Sequence, residues 1–143
     1  MEFHKILIAI DSNPSAEHVA LSGLQLAKQF KSEIALISII DPDGISDNDP
    51  PTTRELEDMM ERNLNRSQLN VIEKVFKGFP IKSFVEKGIP YKVILETADK
   101  WGADIIVMGT HGRKGLPHLL LGSVAEDVIR HSRKTMIVIP VRN

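Results

Sequence analysis

Four short stretches of the chain are almost continuously apolar: Ile6–Ile10, Ile34–Ile40, Ile105–Met108 and Met136–Ile139. Each is rich in β-branched residues and lacks the alternation of a strand with one wet face. Such runs belong to strands buried on both sides, as in a parallel sheet covered by helices. A fifth stretch, Ile81–Glu86, alternates instead, with Ile81, Ser83 and Val85 set against Lys82, Phe84 and Glu86. Its polarity predicts a place near the sheet edge.

Between these runs, apolar positions recur every three or four residues. Ala16, Val19, Ala20, Gly23, Leu24, Ala27 and Phe30 form one helix face, behind Asn13 as cap and Pro14 at the first helical position. Thr52 and Glu55 read as a capping box opening a long helix with Leu56, Met60, Leu64, Val71 and Val75 inward, ending near Gly78. Pro90 opens a third helix, with Ile94, Ala98 and Trp101 inward and Gly102 at its end. A fourth starts at about Ser123, with Val124, Val128 and Ile129 inward and Arg130, His131, Arg133 and Lys134 near its C-terminus. The order β-α-β-α-β-α-β-α-β predicts a single α/β domain with a doubly wound parallel sheet of five strands and four helices. Asp41–Pro51, with four aspartates, three prolines and no basic residue, reads as a mobile loop.

Composition narrows the chemistry. The 143 residues are 42% hydrophobic and 26% charged, ordinary for one folded domain. There is no cysteine, which excludes disulfides, thiolate-bound metals and thiol catalysis. Eighteen basic against nineteen acidic residues leave no basic excess for a nucleic acid. No run approaches the roughly 18 apolar residues of a membrane span, and Ile6–Ile10 is too short for a signal-peptide core. The expectation is a soluble cytoplasmic protein that binds neither nucleic acid nor membrane.

In open α/β sheets, ligands sit beyond the carboxyl ends of the strands. Three loops leave such ends: Asp11–Pro14, Asp41 onward and Gly109–Leu121. In the third, Gly109, Gly112 and Gly115 let backbone N–H groups converge on an anion. Gly122-Ser123 then starts a helix whose free N–H groups favour phosphate. His111, Arg113 and Lys114 are placed to neutralise outer charges. The glycines could equally make a plain turn, with Ser123 an ordinary cap. Neither the P-loop nor the G-x-G-x-x-G fingerprint occurs.

At this loop the sequence resembles the universal stress protein family. Its ATP-binding subgroup carries G-x2-G-x9-G-[ST], which Gly109, Gly112, Gly122 and Ser123 match. Ile6–Asp11, Gly88–Pro90, Ala103–Gly112 and Gly122–Pro140 are similar to further segments of the family, so the likeness covers essentially the whole chain. It implies one universal stress protein domain over residues 1–143. The implied fold is Rossmann-like and similar to the adenine nucleotide alpha hydrolases, with strand order 3-2-1-4-5. The implied ligand is an adenine nucleotide, ATP or AMP/ADP, with Mg2+ possible beside ATP. Carried over by position, Asp11 would meet the ribose or adenine, Ala9 and Ile10 would line the base pocket, and Ile39 would wall the adenine. Met108 and Gly109 would approach the ribose, while Gly112, Gly122, Ser123 and Val124 would hold phosphates, with His111 and Arg113 beside them. The resemblance also implies a homodimer paired through Thr135–Val141 and a regulatory role in stress response with an unknown protein partner. Lys114, Pro117 and His118 depart from the usual loop pattern, and Ser12 leaves Asp11 as the one carboxylate at its strand end; these leave the preferred phosphate number open.

Phosphoryl transfer needs an oriented nucleophile as well as a phosphate cradle. His111 is the one candidate base near the loop, and no carboxylate is placed to orient it. The expectation is binding with at most slow hydrolysis. A nucleotide-free interaction protein of the same fold, or a small nucleotide-dependent α/β enzyme, are the alternatives.

Overall fold

The computed structural model describes residues 2–41, 53–110 and 121–141. Nine elements follow in strict alternation: β1 (Lys5–Ala9), α1 (Ala16–Phe30), β2 (Glu33–Ile40), α2 (Thr53–Val75), β3 (Ile81–Lys87), α3 (Pro90–Trp101), β4 (Ile105–Gly109), α4 (Ser123–His131) and β5 (Thr135–Ile139). All strand pairs are parallel, and the order across the sheet is β3-β2-β1-β4-β5. The expected fold class and strand order are therefore those observed. Register is fixed by matched apolar rows, such as Leu7 between Ala35 and Ile106.

Because successive strand residues point to opposite faces, the unbroken apolar runs feed two cores at once. Ile6, Ile8, Ile34, Leu36, Ile105 and Val107 face one side, where Val19, Ala20 and Leu24 of α1 and Val71 of α2 cover them. Leu7, Ala35, Ile37, Ile106 and Met108 face the other, under Ile94 and Ala98 of α3 and Ala125 and Val128 of α4. Each fully buried Leu, Ile or Val contributes roughly 1.5–3 kcal/mol of transfer free energy. Helix α1 approaches β1 closely because residue 23 has no side chain. A Cβ on Gly23 would fall 2.3 Å from Cδ1 of Ile8.

Local signals hold at most ends. Pro90 opens α3, and Gly102 closes it in the left-handed conformation, its N–H donating to Ala98 O. Gly78 has a positive φ just after α2. Three details differ from expectation. Helix α1 begins at Ala16 rather than Pro14, because Asn13 first folds an Asx turn: its Oδ1 accepts the Ser15 N–H and hydroxyl, both at 3.0 Å. Ile129 is 43% exposed, since the nine-residue α4 turns only Ala125 and Val128 fully inward. Phe30 is exposed and meets Phe3 at the surface, ring centroids 5.1 Å apart. The capping residue Thr52 lies outside the described residues.

Candidate functional site

At the carboxyl end of the sheet, the crossovers that leave the neighbouring strands β1 and β4 depart in opposite directions. The loops after β1 and β4 diverge there and leave a cleft, as open α/β topology requires. A cavity of about 300 Å3 occupies it. Its walls come from the ends of three strands and the beginnings of three helices. Strand ends supply Ala9 of β1 with Ile10 and Asp11 just beyond it, Ile37 and Ile39 of β2 with Asp41 just beyond it, and Met108 and Gly109 of β4. Helix starts supply Ser15, Ala16 and Val19 of α1, Pro90 and Ile94 of α3, and Val124 and Ala125 of α4.

The arrangement is a mostly apolar slot with two carboxylates at its rim and helix N-termini around it. Each N-terminus carries partial positive charge and first-turn N–H groups without intrahelical partners. Asp11 Oδ1 accepts the Asn13 N–H at 2.8 Å, which fixes the turn leaving β1. A carboxylate accepts through both oxygens, so this bond uses only part of its capacity. The Asp11 carbonyl lies 3.4 Å from the Ser67 hydroxyl of α2. The slot thus offers an apolar sandwich for a planar ring, acceptors for hydroxyl or amino donors, and amide donors for an anion.

The anion end is built around α4. Gly122 is its N-cap, in an extended conformation at φ −65° and ψ 159°. The first helical bond runs from Glu126 N–H to Gly122 O at 2.9 Å, so the amides of Ser123, Val124 and Ala125 precede any intrahelical pairing. The Gly122 N–H is already engaged, donating to Thr110 O at 3.1 Å. Gly122 is therefore placed as a cap rather than as a donor, and the amides without an intrahelical partner are the three that follow it.

Of the residues expected at the site, Ala9, Ile10, Asp11, Ile39, Met108, Gly109 and Val124 line one cavity, and Gly122 and Ser123 adjoin Val124 at the start of α4. His111, Gly112 and Arg113 lie outside the described residues. Ser15, Ala16, Val19, Ile37, Asp41, Pro90, Ile94 and Ala125 also line the cavity and were not expected there. Most are apolar positions whose spacing announces only a core, but Asp41 opens one of the three strand-end loops and was within reach of the sequence. Among the described residues, no group of three or more His, Asp or Glu side chains could hold a metal ion. No described helix is long and apolar enough to cross a membrane.

The model of the universal stress protein family matches residues 2–140. Universal stress protein MJ0577 of Methanocaldococcus jannaschii is 32% identical over 158 aligned positions, spanning 99% of this chain and 97% of that one. The solved structure of MJ0577 superposes with a TM-score of 0.80 at 30% identity, covering 100% of this chain and 99% of the other. A universal stress protein of Archaeoglobus fulgidus, solved in complex with dAMP, has the same fold, with TM-score 0.68, 20% identity and coverage of 97% and 99%. So does a universal stress protein solved with cAMP, at TM-score 0.65 and 19% identity over 98% of both chains.

Proposed function

This chain belongs to the universal stress protein family, and on that footing we propose that residues 1–143 form one adenine-nucleotide-binding domain with a regulatory role. The observation that carries the reading is the apolar slot running into the first turn of α4, whose amides at Ser123, Val124 and Ala125 have no intrahelical partner. Adenine lies against Ile39 at the end of β2, with Ala9 and Ile10 lining the base pocket. Asp11 accepts from ribose hydroxyls or the adenine amino group, and Asp41 extends that acceptor rim. Ribose passes Met108 and Gly109. Phosphates meet the amides of Ser123, Val124 and Ala125, where the helix dipole favours negative charge. Gly112, His111 and Arg113 complete the phosphate end. The dAMP and cAMP complexes of family members support an adenylate as the ligand class. ATP, ADP and AMP all suit this layout, with Mg2+ accompanying ATP.

The described site offers donors for phosphate oxygens and no oriented base for water. Hydrolysis, if measured, stays below about 1 s⁻¹, at the slow end of enzymatic rates. The protein works as a cytoplasmic homodimer joined through Thr135–Val141, in which occupancy changes the surface read by a protein partner.

Calorimetric titration with ATP, ADP, AMP and adenosine tests the binding. Saturable binding of at least one adenylate is expected, weakened about 30-fold or more by Val124→Trp, which fills the slot, with the melting temperature little changed. Protein that stays empty with every adenylate at millimolar concentration overturns the reading and leaves a nucleotide-free interaction protein of the same fold.

A further inference from the structure

Thr110 follows β4 and is only 7% exposed. Its N–H donates to Ile139 O at 2.9 Å, the last rung expected of the β4–β5 ladder. The matching rung of a parallel ladder would send the Val141 N–H to the Thr110 carbonyl, since alternate residues of one strand bond the same neighbour. That rung is not made by the carbonyl. Val141 N–H donates instead to the Thr110 hydroxyl oxygen at 2.9 Å, and the carbonyl accepts the Gly122 N–H at 3.1 Å. The side chain thus stands in for its own carbonyl in the sheet and releases that carbonyl to hold the N-cap of α4.

From this exchange we infer that Thr110 is a positioning residue of the phosphate end: its hydroxyl satisfies Val141 so that its carbonyl can fix Gly122, and through Gly122 the amides of Ser123–Ala125. The inference rests on the adenine-nucleotide reading for its ligand and on the bonding pattern for its geometry. Serine can replace threonine here, and an isosteric apolar residue cannot. With valine at 110 the half-buried Val141 N–H loses its acceptor, and its nearest alternative is the carbonyl that holds the buried Gly122 N–H, so the N-cap of α4 is pulled from its place or a bond goes unmade at a cost.

The test uses the full chain and two variants, T110V and T110S, titrated with AMP and with adenosine. T110V is expected to lose about five- to tenfold in AMP affinity, the scale of one hydrogen bond, while adenosine affinity stays within about twofold. T110S, which keeps the hydroxyl, binds AMP like the parent. Equal losses for AMP and adenosine, no loss at all, or failure of T110S to restore AMP affinity overturn the inference. If the parent binds neither ligand, the nucleotide reading falls separately and amide hydrogen exchange decides the clasp. Faster exchange at Gly122 or Val141 in T110V, reversed in T110S, upholds it; unchanged exchange at both removes it.

Discussion

Strands β3 and β5 both leave one row of backbone N–H and C=O groups without a neighbouring strand of their own sheet, yet their side chains are opposites. β3 carries exposed Lys82, Glu86 and Lys87, and Lys87 pairs with Glu57 of α2 at 2.6 Å. Beneath it, Gln68 of α2, 2% exposed, donates to Ser38 Oγ and Phe84 O, each at 2.9 Å. β5 is Thr-Met-Ile-Val-Ile, with no charge and every residue half-buried. Charged edges deter chance pairing between sheets, and a neutral apolar edge invites it. A charged edge at one side of the sheet and a neutral apolar one at the other favour β5 over β3 as the proposed dimer strand.

The sharpest way to break this contrast is Val138→Lys, at a half-exposed β5 position outside both core clusters. A buried unpaired charge at an interface costs several kcal/mol. The dimer dissociation constant should therefore rise more than about 100-fold in sedimentation velocity, and an unchanged dimer would remove β5 as the interface. On the guarded side, Gln68→Ala leaves Ser38 and Phe84 O without their donor. Urea denaturation should record a loss of about 2 kcal/mol, with the dimer intact. A loss near zero would mean α2 is seated by apolar contact alone. The smallest effect belongs to Lys87→Ala, which removes a partly exposed ion pair. It should cost under about 1 kcal/mol and vanish in high salt; a larger, salt-independent loss would make Lys87 part of the fold rather than a guard.

The alternation of strands and helices was legible because a strand buried on two faces needs an unbroken apolar run, and β1, β2 and β4 each have one; β5 has such a run too but lies half-buried at the edge, where burial on both sides was expected. The ends of α3 were legible because Pro90 and Gly102 act on their own backbone. The start of α1 was not, since Asn13 could cap either a helix or an Asx turn and only the turn's closure onto Ser15 decides. At the site, Asp11, Met108, Gly109 and Val124 could be named from a motif and its surroundings. Val19 and Ile94 could not, because a residue that floors a cavity has the same periodicity as one that fills a core. Thr110 was hidden for a different reason. Its role depends on Val141 and Gly122, whose positions relative to it only the folded chain fixes.

Gly23 sits two turns into α1 and does not line the cavity, yet the same helix contributes Ala16 and Val19, and its cap Ser15, to the cavity wall. A methyl there would have to push against Ile8, itself fully buried. In a close-packed interior either Ile8 or the helix must give way. The width of the cavity thus depends on a missing side chain one turn beyond Val19 on the same helix face, and enlarging residue 23 would change it without altering a single wall residue.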